Sequence, residues 1–336
     1  MARMAASVTD PALLDFMLDT DPALRWHVER DIAGEPEAVW QATRARVATE
    51  GFGAQLLAHQ GADGQWAGGS YFPSDFSEEL YESEGQPWTA TTWSLNALRE
   101  WGLPAEALAG TAEKLAANSR WDYNDGPYWD GEVDACINAY TLSNGVWLGA
   151  DVSRLADWFP AHVLSDGGWN CEWVEGSTRS SFHSTLNSLR GILDYEIAMA
   201  GPNNSGTDEL RAVRRSGEEY LLERHLVRTL TTGEQPGEWV TRFAYPFRWA
   251  YSALKAVDYL RAAALHDGTA PDLRIADAIA VIRDARQPDG TWFQGHHYRG
   301  REWFPVDVPV GERSPWLTFY ATRALDWWDS GSEQRG

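Results

Sequence analysis

Gln60-Gly-Ala-Asp-Gly-Gln-Trp66 recurs near the other end of the chain as Gln287-Pro-Asp-Gly-Thr-Trp292. Asp166-Gly-Gly-Trp169 and Gly237-Glu-Trp239 are shorter versions, and Gly126-Pro-Tyr-Trp129 is a weaker one. Asp-Gly and Gly-Gly pairs mark tight turns, because glycine takes positive φ without steric cost. A tryptophan directly after such a turn is placed to pack back across the ends of neighbouring helices. Recurrence of this kind points to a repeat architecture.

Each turn follows an amphipathic pattern with charges between apolar residues at helical spacing: Glu37 to Ala58, Pro104 to Asn118, Val152 to Leu164, Glu209 to Leu230 and Leu273 to Arg286. After a loop of variable length comes a second, more apolar helix, roughly Thr89–Trp101, Val133–Leu148, Ser181–Ala198, Tyr245–Leu265 and Pro315–Trp328. With an N-terminal helix over Pro11–Asp31, five pairs and a partial sixth predict an all-α fold. The expected architecture is an α/α toroid of alternating outer and inner helices, one domain over residues 1–336. An open solenoid of stacked helix pairs is the rival; the irregular loops and aromatic inner helices favour closure.

The inner helices align without gaps. Six residues before Leu98, Leu142, Leu189, Leu254 and Leu325 stand Thr92, Cys136, His183, Arg248 and Phe319. In a toroid this shared position lies near one mouth of the central cavity.

Composition narrows the function. Hydrophobic residues make up 43% and charged residues 23% of 336, the profile of a folded globular chain. A formal charge of −21 repels phosphate backbones and anionic lipid, so nucleic acid is not an expected partner. No apolar run approaches the ~18 residues of a membrane span, and Met1 to Asp10 lacks a signal pattern, so cytoplasmic residence is expected. Cys136 and Cys171 are the two cysteines, too few to suggest a disulfide framework.

The Gln-x-x-x-Gly-x-Trp turns resemble the repeat of squalene-hopene cyclases and related bacterial cyclase-like proteins, a likeness that the looser copies extend over nearly the whole chain. That resemblance implies an α/α barrel with inner helices around an apolar or aromatic chamber. The Asp-x-Asp-Asp acid motif of the larger cyclases is missing; Asp130-Gly-Glu-Val-Asp134 is the nearest acidic cluster. The chain is also similar to the β subunits of protein prenyltransferases, single toroids whose zinc ligands are Asp-x-Cys on one inner helix and His on the next. Asp134-Ala-Cys136 and His183 match that pattern, and the resemblance implies zinc on Asp134, Cys136 and His183. Oxygen, sulfur and nitrogen ligands with a fourth position open suit a catalytic zinc. Cys171 is either packing, a fourth ligand or a reactive thiol. The family's diphosphate cradle has no counterpart, since its positions carry Gly131, Tyr128 and Ile137, with Pro87-Trp88 at the start of the helix that would carry its diphosphate-binding histidine. Arg179, Arg242 and Arg248 are the available substitutes.

Asp130 and Glu132 are candidate acid–base groups, His296 and His297 a weaker pair in the loop before the last helix. Trp88, Tyr140, Phe182, Arg248, Trp249 and Phe319 are the candidate substrate-binding residues, aromatic faces being able to stabilise a cation by ~0.5–2 kcal/mol. Three functions follow: a zinc-dependent transferase or cyclase-like enzyme for a hydrophobic, isoprenoid-like substrate; a zinc hydrolase or glycan-active lyase or hydrolase on an α/α barrel; or a toroid that only binds a hydrophobic ligand. A partner subunit is neither indicated nor excluded by the residues.

Overall fold

The computed structural model describes residues 10–200 and 207–333, so most of the stretch read for a signal pattern lies outside it. The described chain is mostly helical. It opens with α1 (Pro11–Leu18), α2 (Pro22–Asp31), α3 (Glu37–Arg46) and α4 (Gly51–Leu57). Then come α5 (Glu78–Glu84), α6 (Thr91–Glu100), α7 (Thr111–Asn118), α8 (Ala135–Leu148) and α9 (Ser153–His162). They are followed by α10 (Phe182–Ala198), α11 (Asp208–Leu222), α12 (Ala253–Asp267), α13 (Ala276–Asp284) and α14 (Pro315–Glu333). The described strands are a two-residue antiparallel pair, Trp292–Phe293 against Arg313–Ser314.

The Asp-Gly turns are built alike. Gly61, Leu164 and Gln287 each donate a backbone N–H to the carbonyl four residues on, at 2.7–2.8 Å. Gly64, Gly167 and Gly290 supply the positive φ, at 89°, 97° and 86°, where a side chain is strained. The following tryptophan is buried: Trp66 and Trp169 are 0% exposed and Trp292 is 1%. Its indole N–H donates to a carbonyl in the helix before the turn, Leu56, Phe159 or Ile282, at 2.8–3.1 Å. Its backbone N–H donates to a threonine hydroxyl on the helix after the turn, Thr91, Thr185 or Thr318, each at 3.1 Å. One residue thus ties α4 to α6, α9 to α10 and α13 to α14.

Three predicted helices are interrupted. In Pro104–Asn118 a 3-10 turn at Ala105–Leu108 ends before Gly110, at φ 80°, so that α7 starts at Thr111. Pro11–Asp31 divides because Asp10-Pro-Ala-Leu and Asp21-Pro-Ala-Leu are both start signals: each aspartate caps the second backbone N–H after it at 2.9 Å, with proline at the first helical position. Asp21 also accepts from Phe52 N at 2.9 Å, which fixes the start of α4 and divides Glu37–Ala58. Gly51 is needed there, because a Cβ would fall 2.0 Å from Asp21 Oδ2.

Among the more apolar helices, α6 packs on α8, α8 on α10, α10 on α12 and α12 on α14. α8 and α10 are the closest pair: a Cβ on Gly191 would lie 2.7 Å from the Ala139 carbonyl. α14 also contacts α2, and Arg323 of α14 reaches Asp31 at 2.9 Å. Trp26 and His27 of α2 bond the carbonyls of Trp101 and Glu100 at the end of α6, at 2.8 and 2.9 Å.

The leucine phase holds for three helices. Thr92, Cys136 and His183 are each the second residue of their helix. α12 starts later than predicted: Ser252 is its N-cap, accepting from Lys255 N at 3.2 Å. Pro246, which lacks an N–H, precedes an irregular stretch in which Arg248 has a φ of 50°. Arg248 is therefore off the helix, and Phe319 lies in the second turn of α14.

Removing a fully buried tryptophan costs ~3–5 kcal/mol. Trp66→Ala and Trp292→Ala are each expected to lower the melting temperature sharply. Thr91→Val, which keeps volume and loses the hydroxyl acceptor, is expected to cost about 1–3 kcal/mol by denaturant titration.

Candidate functional site

Cys136 is held at the start of α8 by a local network. Glu132 accepts from Asp134 N at 2.8 Å, and Asn138 exchanges hydrogen bonds with the Glu132 backbone, both at 2.7 Å. From there Cys136 Sγ meets Cys171 Sγ at 3.4 Å, both thiols being free. Asn187 Nδ2 donates to Cys136 Sγ at 3.4 Å, and Ser184 Oγ stands 3.3 Å from Cys171 Sγ. Donation from Cys171 pulls the Cys136 thiol pKa down against its burial. The same bond, with burial, pushes the Cys171 thiol up. Asn187 carries the network inward, because its Oδ1 accepts from Lys255 Nζ at 2.8 Å.

His183 Nδ1 accepts the Tyr251 N–H at 2.9 Å. In the neutral ring Nε2 then carries the proton and offers no lone pair to a metal. Burial and Lys255 pull its pKa down to about 4. Asp134 is raised to about 6 by burial and by repulsion from Glu132 and Glu175. The ligand atoms of Asp134, Cys136 and His183 do not all come within 4.8 Å of one another. Among the described residues the set that does is Glu196, His266 and Asp267. The Arg214 guanidinium already serves that set, bonding Glu196 at 2.9 Å and Asp267 at 2.9 Å. The contact the structure does make is Cys136 with Cys171.

Beyond Asn187 lies a cavity of about 330 Å³, lined from α2, α6, α8, α10, α12, α14 and the stretch Tyr245–Arg248. Seven cationic side chains face it: Arg30, Arg99, Arg190, Arg248, Lys255, Arg261 and Arg323. Asp258 pairs with Arg323 at 2.7 Å, Arg261 at 3.2 Å and Arg190 at 3.3 Å. Although burial opposes it, these cations hold the Asp258 carboxyl well below the usual range. Asp31 pairs with Arg30 and Arg323, Asp194 with Arg99 and Glu302 with Arg248. Glu100 accepts from Tyr320 OH at 2.5 Å, and burial raises its pKa. Lys255 bonds only neutral acceptors, Asn187 and the carbonyls of Arg248 and Ala250. Burial pulls its pKa down to about 7, yet three acceptors call for three N–H donors, which only the ammonium form supplies.

Of the candidate substrate residues, Tyr140 and Arg248 line this cavity. Trp88 lines a small adjoining pocket beneath the Arg248 guanidinium. Phe182 packs on Tyr220, Trp239 and Tyr251, and Phe319 is buried beside His27 and Arg323. Trp249 is 37% exposed. Asp130 pairs at the surface with Arg154, while Glu132 is occupied at the start of α8; neither lines the cavity. Arg179 is exposed, Arg242 pairs with Glu238, and His296 packs on Tyr298. The sequence reading missed Arg190, Lys255, Asp258 and Arg323. The chain matches no protein-family model, no curated protein and no solved structure.

His27 supplies a pH test. Its pKa is lowered to about 3, first by burial and then by Arg30 and Arg323. The unfolded chain takes up this proton near pH 6.5 and the folded chain does not, so stability is complete above that pH and falls as pH drops toward 3. His27→Gln is expected to flatten that part of the stability–pH curve in denaturant titrations; an unchanged slope would place the proton elsewhere.

Proposed function

We propose that the helices form an α/α toroid of the cyclase and prenyltransferase kind, with the cavity as its interior chamber. Successive packing of α6, α8, α10, α12 and α14 supports this, as do the contacts that return from α14 through α2 to the end of α6. Arg323 joins α14 to both α12 and α2. In a double-mutant cycle, Arg323→Met and Asp31→Asn should be non-additive by about 0.5–3 kcal/mol. Additivity would leave α14 and α2 uncoupled and favour the open solenoid.

The chamber is taken to bind a polar small molecule, with chemistry at its thiol end. One observation carries this reading: a cavity that gathers cationic and aromatic side chains from six helices is joined through Asn187 to the Cys136–Cys171 pair. Guanidinium walls disfavour an isoprenoid tail, whose burial gains nothing from charge. The direct test is binding of 1-naphthol, followed by tryptophan fluorescence because Trp93 and Trp101 line the chamber. Ala97→Trp, which fills the same space, should abolish binding; persistence of binding would move the ligand elsewhere.

The zinc reading is kept on a specific observation, the thiol spacing. Two sulfurs bound to one tetrahedral zinc at ~2.3 Å stand about 3.8 Å apart, near the 3.4 Å found. Asp134 would have to move to become a third donor, since its carboxylate is not within 4.8 Å of both thiols. His183 joins only if its ring gives up the Tyr251 bond. Metal analysis of protein purified without added zinc decides this. One equivalent, lost in Cys136→Ser and Cys171→Ser but kept in His183→Gln, is the expected pattern for thiol-held zinc. Metal-free protein with an alkylation pKa at Cys136 below the usual ~8.5 assigns the centre to a free thiolate instead.

A further inference from the structure

We propose that the chamber takes a small dianion on a flat apolar body, a phosphate monoester or a dicarboxylate. This deepens the chamber reading and rests on it. The argument begins with charge. Among the described residues four carboxylates, Asp31, Asp194, Asp258 and Glu302, pair with six of the seven wall cations. Lys255 pairs with none and Glu100 bonds Tyr320, so seven cations face five carboxylates, a surplus of two. Burial raises the Glu100 pKa, which removes negative charge rather than adding it. The surplus sits in a chain whose 49 acidic residues outnumber 28 basic ones, so the interior runs against the whole molecule.

Arg190 is open to a ligand, and Lys255, its three N–H donors spent on Asn187 and two carbonyls, adds its charge alone. The Arg190 side chain keeps 36% of its surface accessible while lining the chamber, and its bond to Asp258 is the long one, 3.3 Å. Lys255 has no carboxylate partner. A guanidinium fork meets the paired oxygens of a phosphate or carboxylate. Trp93 also lines the chamber, is 3% exposed, and its buried indole N–H has no hydrogen-bond partner among the described residues. An orphaned buried donor is costly unless something bonds it. The remaining wall is flat, with Tyr140, Tyr245 and Phe247. At about 330 Å³ the volume is at the lower end for ligand sites, matching one or two fused rings with an anionic head.

The test is calorimetry on the full chain at pH 7.5 with four probes of one shape: 1-naphthyl phosphate, 1-naphthyl sulfate, naphthalene-2,3-dicarboxylate and 1-naphthol. The phosphate ester is close to dianionic at that pH, whereas the sulfate ester is a nearly isosteric monoanion. At least one dianion is expected to bind about tenfold or more tightly than the sulfate; which one it is tells a phosphate ligand from a dicarboxylate. Arg190→Met should cost the dianion about tenfold or more while leaving 1-naphthol within about twofold. This variant leaves Asp258 with Arg261 and Arg323, and its ligand-free melting temperature checks that it folds; Lys255→Met is the second variant. Equal affinity for sulfate and dianions, or dianion binding that survives both variants, would overturn the proposal. Binding of 1-naphthol without a charge preference leaves the chamber standing and removes the dianion. If none of the four binds, the chamber reading falls and this inference falls with it.

Discussion

The tryptophan after each Asp-Gly turn is the constraint on which the rest depends. Its two N–H groups point to different helices, one to a carbonyl before the turn and one to a threonine hydroxyl after it. Both bonds are made where the residue is essentially inaccessible, so water cannot substitute for either partner. The turn glycine is equally committed: a Cβ on Gly64 would meet Lys114 at 2.7 Å, and one on Gly167 would meet Ser216 Oγ at the same distance. The first two turns therefore dock on a helix of the next repeat, and the third approaches Leu13 of α1, which turns a local motif into long-range order. Once three such clamps fix an amphipathic helix to the more apolar one that follows its turn, the faces around the cavity have little freedom in what they enclose.

What they enclose is charged. A buried cation alone would be costly, and the interior answers with shared carboxylates rather than one partner per cation. Asp258 serves three guanidiniums and Asp31 two. Sharing keeps each carboxylate ionised and leaves the wall short of negative charge. An apolar chamber could have been packed from the same helices without these groups, and such replacements often stabilise a fold. The charged interior is therefore not accounted for by fold stability. Around Arg214, by contrast, one 0% exposed guanidinium meets Glu196, Glu218 and Asp267. Arg211 and Arg215 bond the same carboxylates, so charge is balanced there, and the cluster holds α10, α11 and α12 together.

The helices were legible in the sequence because their apolar spacing is strong and the Asp-Gly-x-Trp turns punctuate it. Their breaks were legible too, had the paired Asp-Pro-Ala-Leu starts at Asp10 and Asp21 been weighed. The start of α12 was harder: the leucine count ran straight through Pro246, where the backbone leaves the helix. The chamber wall was hidden for a physical reason. Arg190 and Arg261 occupy helical positions where a charge normally faces solvent, and one sequence does not show that six such faces meet. Arg323, set among Tyr320, Ala321, Thr322, Ala324 and Leu325, was the visible anomaly, a charge inside an apolar run. Cys171 was seen, but nothing in its spacing foretold a contact with Cys136.

The shared position on α6, α8 and α10 has a common structural task. Thr92 bonds Tyr128 OH at 2.9 Å, Cys136 meets Cys171 at 3.4 Å, and His183 accepts Tyr251 N–H at 2.9 Å. Tyr128 lies in the segment leading to α8, Cys171 in that leading to α10, and Tyr251 in that leading to α12. Each side chain therefore fastens its helix to the connection entering the next one. That task asks only for a polar atom of suitable reach, which a hydroxyl, a thiol or an imidazole supplies equally well. The repeat thus explains why Cys136 and His183 fall in phase without requiring them to share a metal. At one seam the partner is itself a thiol, and there the Asn187 amide and the Lys255 side chain connect it to the cavity.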